Sequence, residues 1–257
     1  MIREFKLLKT NESVTIDILG MDDLPLVLAL QEETRAALPE AQKRFVLPQS
    51  RDYFASFLNN DNGLMLGIRC NGRLIAQMVI MGPLPLDEAM QRKAITRNEI
   101  EFHHAEQAEM VVIAKSMAVH PDNRGNELSQ RMLAAALNLP IARTADHMFA
   151  QISAENVRSW ELFLKLGFGI VAAVTDPGDN KPRFIVQKPA LGFALHASAS
   201  VVDLDPKADF SQISRLTSRE LLIGFPDPTE DARLIFHASI DTATAWIEDE
   251  RLQARAS

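Results

Sequence analysis

An α/β fold is predicted by three stretches of the 257-residue chain. Residues 64–68 and 74–81 are apolar runs around Asn71-Gly72, a strong hairpin signal because both central positions of such a turn take positive φ. Residues 111–119 read as a buried strand that His120-Pro121 ends, since proline donates no ladder hydrogen bond. The polar turn Asp122-Asn123-Arg124-Gly125-Asn126 follows, and then Leu128, Met132, Ala135 and Leu139 recur at helical spacing. Residues 156–168 read as a helix with Val157, Trp160, Phe163 and Leu164 on one face and Gly167 in the left-handed position that closes a helix.

The remaining elements follow in chain order. Residues 13–19 alternate Val14, Ile16 and Ile18 with polar neighbours, the pattern of a strand. Asp22 or Asp23 caps a helix that has Pro25 in its first turn and runs through Leu28 and Leu30 towards Ala37. A short helix is predicted at 51–58, where Tyr53, Phe54, Phe57 and Leu58 fall on adjoining faces. An insertion at about 83–109 contains a helix from Asp87 to about Arg97 and ends in the ionisable cluster Glu101-Phe102-His103-His104-Ala105-Glu106. After the second motif, residues 170–174 and 183–187 read as strands joined by the turn cluster 176–180. Beyond 190 the pattern suggests a strand at 198–204, a helix at 211–223 and one long or broken helix at 229–252 behind a Thr229 cap. Ile235, Ala238 and Trp246 of that last helix would dock it on the main domain or on a second subunit.

Composition narrows the class. Hydrophobic content of 47% and charged content of 24% are those of a globular protein, and a net charge of −7 offers no basic footprint for nucleic acid. A single cysteine, Cys70, excludes an internal disulfide framework and fits a reducing, cytoplasmic setting. No apolar run is long enough for a membrane span, and the first residues lack the apolar core of a secretory signal. The adjacent pair His103-His104 diverges and has no further ligand at metal spacing, so no metal is expected.

The loop after residues 111–119 would aim backbone N–H groups at the start of a helix, where the dipole favours negative charge. Val119-His120-Pro121 followed by Arg124 and Gly125 resembles the coenzyme A pyrophosphate loop of the Gcn5-related N-acetyltransferases. The run Asn156 to Phe168, with Lys165-Leu166-Gly167-Phe168, resembles that family's later motif. Together with the hairpin, the resemblance covers about residues 13–188. It implies a mixed, mostly antiparallel sheet of six or seven strands flanked by helices, over residues 1–189, with a C-terminal extension at 190–257 for docking or dimerisation. It also implies transfer of an acetyl group from acetyl-CoA to a primary amine of a small molecule or peptide.

By the same resemblance, Met117 and Val119 present main-chain groups to pantetheine, and Arg124, Gly125, Asn126, Leu128 and Ser129 surround the pyrophosphate. Asn156 and Phe163 belong to the later cofactor motif. Glu127 and Ser129 stand where the family usually has small residues, and Phe163 stands where many members carry a tyrosine acid. Those departures suggest an alternative, a non-catalytic acyl-CoA-binding module; the aliphatic insertion and tail suggest another, transfer of a longer acyl group. Tyr53, the one tyrosine of the chain, is then the candidate acid. Glu109 is the candidate base, its parity placing it on one face with Ile113, Lys115, Met117 and Val119. His103 and His104 compete for that role.

Overall fold

The computed structural model describes residues 2–91, 110–176, 179–190, 193, 209–218, 222–226 and 234–238. The chain opens with strands β1 (Arg3–Lys6) and β2 (Ser13–Ile18), then helices α1 (Leu24–Ala36), α2 (Glu40–Lys43) and α3 (Arg51–Leu58). Strands β3 (Gly63–Cys70) and β4 (Arg73–Pro85), helix α4 (Leu86–Gln91) and strand β5 (Met110–Val119) come next. Helices α5 (Leu128–Leu137) and α6 (Pro140–Arg143), strand β6 (His147–Ser153) and helix α7 (Val157–Lys165) follow. Last are β7 (Gly169–Thr175), β8 (Pro182–Pro189), α8 (Phe210–Ser218), β9 (Leu222–Pro226) and β10 (Leu234–Ala238). None of the described helices is long and apolar enough to cross a membrane.

Two compact units divide the described residues, one from 2–85 and 110–148, the other from 86–91 and 149 onward. In the first, β1 to β5 lie in sequence order and each pairs antiparallel with the next. The hairpin forms as its sequence predicts, with Asn71 at φ 50° and Gly72 at φ 80° closing the pair Cys70–Arg73. Helix α1 buries Leu24, Val27, Leu30 and Thr34, and α3 buries Phe54, Phe57 and Leu58. These apolar side chains meet Met65 of β3 and Val79 of β4 in one core. Each fully buried phenylalanine there removes apolar surface from water for a gain of about 1.5–3 kcal/mol. Helix α5 packs on β3, β4 and β5 through Leu128, Met132, Leu133, Ala135 and Ala136.

The second unit orders its strands β6-β8-β7-β9-β10, with β7–β8, β7–β9 and β9–β10 antiparallel. Helix α7 buries Trp160, Phe163 and Leu164, and its end is legible in the sequence. Gly167, at φ 84°, lets the N–H groups of Gly167 and Phe168 return to the carbonyls of Leu164 and Phe163.

Several expectations change. Up to residue 189 the described residues hold eight strands rather than six or seven, and the extension adds two more. The helix expected over 211–223 ends at Ser218, because Leu222 and Ile223 pair with Ala238 and His237. Of the helix expected over 229–252, Leu234–Ala238 is strand β10, because pairing with all five residues of β9 holds that stretch extended. The expected strand at 198–204, Trp246, and the insertion beyond Gln91 lie outside the described residues.

Candidate active site

A short loop carries the chain from the end of β5 into α5. His120 N–H donates to Ile75 O at 2.8 Å, and Pro121 opens a short turn whose Asp122 N–H donates to His120 Nδ1 at 3.3 Å. The other ring nitrogen, Nε2, lies 3.2 Å from the Glu33 carboxylate of α1 and 2.8 Å from Arg73 Nη2, which itself pairs with Glu33 at 2.9 Å. Gly125 (φ 78°) and Glu127 (φ 57°) then turn the chain through the left-handed region into α5. Glu127 occupies the N-cap position without a side-chain cap, so the N–H groups of Leu128, Ser129 and Gln130 have no intrahelical acceptor. The Glu127 carboxylate lies 3.3 Å from Arg131, one turn into the helix, where it is partnered by a cation. Arg124 is exposed and has no ion pair among the described residues.

Asn126 does something the sequence did not suggest. Its side chain is 2% exposed and serves the loop itself. Oδ1 accepts the Lys9 main-chain N–H at 2.9 Å, and Nδ2 donates to Asn123 O at 3.0 Å. Lys9 Nζ donates to Arg124 O at 2.6 Å. The turn between β1 and β2 is thus tied to the loop, and Lys9, 117 residues from Asn126, joins the site. Leu128 is buried in the core, and Ser129 is half-buried beside the uncapped N–H groups.

A bulge interrupts β5 four residues before the loop. Val79 pairs with Lys115 and Gln77 with Ala118, so Ser116 and Met117 together oppose Met78. Ser116 takes φ 48° there, a conformation costly for a residue with a Cβ. Its hydroxyl lies 2.9 Å from the Tyr53 hydroxyl. Tyr53 is fixed by Ser50, whose hydroxyl caps α3 by accepting Tyr53 N–H at 3.1 Å, and by edge contacts with Phe54 and Phe57. Burial raises the Tyr53 hydroxyl above its ordinary pKa, against the Ser116 hydrogen bond, so it stays protonated.

The bulge also corrects the expected parity. Ile113 and Lys115 pair with Met81 and Val79 on one face, but Val119 pairs with Ala76 on the other. Lys115 lies beside Ser116 with no ion pair among the described residues. Desolvation lowers its pKa from the ordinary lysine value, a shift in the direction of the neutral amine.

In the second unit, Asn156 stands at the N-cap of α7 without a side-chain cap bond. Phe163 is 4% exposed and packs edge-on against Phe168. Glu109, His103 and His104 lie outside the described residues. Among those described, no group of three or more His, Cys, Asp or Glu side chains is placed to hold a metal ion. Sequence reasoning missed Lys9, Lys115 and Ser116. A polar turn at Lys9-Thr10-Asn11 was the one available signal for the first, and nothing local marks the bulge.

The sequence matches the acetyltransferase (GNAT) family over residues 29–168, more than half of the chain. No curated protein matches it. Among solved structures it is similar to NAA60 of Arabidopsis thaliana, crystallised in complex with acetyl-CoA. The identity is 13% and the TM-score 0.51, over 70% of this chain and 99% of that one. A GNAT-family acetyltransferase of Streptococcus agalactiae 2603 is similar at 15% identity and a TM-score of 0.50, over 72% of this chain and 98% of that one. At such identities the likeness is one of fold.

Proposed function

Because the chain belongs to the acetyltransferase (GNAT) family and is thereby an N-acetyltransferase that uses acetyl-CoA, we propose that it transfers the acetyl group directly to a primary amine at the bulge of β5. The observation that carries this reading is the loop. It carries Arg124, a backbone turned through the left-handed region at Gly125 and Glu127, and the uncapped N–H groups of Leu128 to Gln130 at the start of α5, a combination that favours an anion. These residues fit a pyrophosphate, and the Glu127 carboxylate, engaged by Arg131, does not oppose it. Met117 and Val119 offer main-chain groups to the pantetheine arm. Acetyl-CoA, when bound, supplies the activated thioester. The acceptor is read as a small-molecule or peptide amine, residues 190–257 as a docking or dimer segment, and a cytoplasmic setting suits the buried free thiol of Cys70.

Binding is checked by calorimetry and thermal shift with coenzyme A. A ligand at one hundred times its Kd stabilises the folded chain by about 2.7 kcal/mol, so the melting temperature rises. Arg124→Ala is expected to weaken binding about tenfold through loss of one charge-assisted contact. Glu127→Gly should leave affinity intact and raise stability on the order of 1 kcal/mol, because glycine adopts the left-handed conformation without a Cβ penalty. No binding at millimolar ligand removes the reading, and acetylation of no member of an amine panel removes the catalytic half of it.

The proton steps fall to groups beside the bulge. Tyr53, kept protonated by burial, gives its proton to the departing thiolate. Lys115, drawn towards the neutral form, takes one from the acceptor amine. Because the neutral lysine is the active base, the rate should rise with pH up to its lowered pKa and level off below the ordinary lysine value of about 10.4. Lys115→Met should abolish that limb with an acceptor of low pKa, and lower the plateau on the order of a hundredfold. A rate unchanged in Lys115→Met and lowered in Glu109→Gln transfers the role to the glutamate; His103 and His104 are tested in the same way.

A further inference from the structure

We infer that Lys9, on the turn between β1 and β2, is a second cationic ligand for the phosphates of coenzyme A, so that the N-terminal hairpin is part of the cofactor site. The inference rests on the assignment of the loop above and adds to it a residue from outside the loop. Two hydrogen bonds fix Lys9 against the loop. Its N–H donates to Asn126 Oδ1 at 2.9 Å, and its Nζ donates to Arg124 O at 2.6 Å. A Cβ built on Gly125 would come within 2.9 Å of Lys9 Cε and Nζ, so the amine lies across the face that glycine leaves open. The hairpin holds it there: Leu7 is 2% exposed, its carbonyl accepts Asn11 N–H at 2.9 Å, and Asn11 turns the chain at φ 59°.

The electrostatics point to an anion. An ammonium has three donors, and Arg124 O accepts one of them. No carboxylate pairs with Lys9 among the described residues, and the neighbouring Arg124 is likewise unpaired. Two uncompensated cations therefore flank one loop of a chain whose net charge is −7. An anion at the loop supplies the counter-charge that neither cation has, and the uncapped start of α5 opens on the same loop. A pyrophosphate or a 3′-phosphate supplies that charge.

The test measures coenzyme A and dephospho-coenzyme A binding by calorimetry, on the full chain, for wild type, Lys9→Met and Lys9→Arg at low and high salt. Lys9→Met should weaken binding about tenfold at low salt, and the gap should narrow at high salt because exposed charges are screened. Lys9→Arg should recover most of the loss. Equal losses for both probes place the amine at the pyrophosphate, and a loss confined to coenzyme A places it at the 3′-phosphate; either supports the inference. Wild-type affinity in Lys9→Met overturns it, and so does a loss that salt leaves unchanged, which makes Lys9 a brace for the loop alone. A wild-type chain that binds neither probe overturns the cofactor assignment itself, and Lys9 with it.

Discussion

Tyr53→Phe is expected to lower the turnover rate on the order of a hundredfold while leaving the affinity for acetyl-CoA unchanged. The substitution removes one oxygen and keeps the ring. Edge contacts with Phe54 and Phe57, at 5.1 to 5.4 Å between centroids, remain, so stability should fall by no more than about 1 kcal/mol, the worth of one hydrogen bond to Ser116. Ser116→Ala should cost less in rate, because it leaves the proton donor and deletes its orienting partner. The pH behaviour follows from burial. Since the folded Tyr53 binds its proton more tightly than the unfolded one, deprotonation should not depress the rate until the pH passes the ordinary tyrosine value of about 10. The stability gained from that shift is present below the same value and is lost as the pH climbs through the raised one. A variant rate within twofold of wild type means that solvent protonates the thiolate and that Tyr53 serves packing.

Why some of this was legible in the sequence and some was not comes down to how far away the deciding partner lies. Gly167 closes α7 through carbonyls three to five residues back, so a local pattern is enough to predict it. Asn71-Gly72 is equally self-contained, and the strand, loop and helix around Arg124 come from residues within twenty of one another. Asn126 is the contrary case. It was expected to face the pyrophosphate, yet its amide is committed to Lys9, on a turn that lies outside the segment resembling the family. Strand β1, four residues long and largely exposed, carries no alternation to find. Ser116 adopts a left-handed conformation that β4 imposes through its register, and no glycine marks the place. Leu234–Ala238 has residues compatible with either element, and its partner β9 decides for strand. The departures at Glu127 and Phe163 were visible, but their meaning was not. At Glu127 the carboxylate pairs with Arg131, and for Phe163 the replacement acid we propose is a tyrosine 110 positions earlier in the chain, hydrogen-bonded at the strand bulge.

Asn126→Ala is expected to be the most damaging substitution in the loop, costing about 2–4 kcal/mol of stability and at least tenfold in coenzyme A affinity. The side chain is buried and both ends are used. The orientation of the amide is set by its partners, since the Lys9 N–H can only donate and the Asn123 carbonyl can only accept. Alanine leaves both of those main-chain groups unpaired, each at a cost of about 1–3 kcal/mol where water cannot replace the lost partner. Release of the hairpin from the loop then makes the binding-competent loop a minor conformer, and the apparent affinity falls by its population. Asn126→Asp separates the two contacts: it keeps an acceptor for Lys9 N–H and loses the donor to Asn123, so its loss should fall between alanine and wild type. Chemical denaturation and coenzyme A calorimetry on the three proteins check both effects. If Asn126→Ala keeps the wild-type midpoint and affinity, the turns at Pro121 and Gly125 hold the loop unaided, and the tie to the hairpin is incidental.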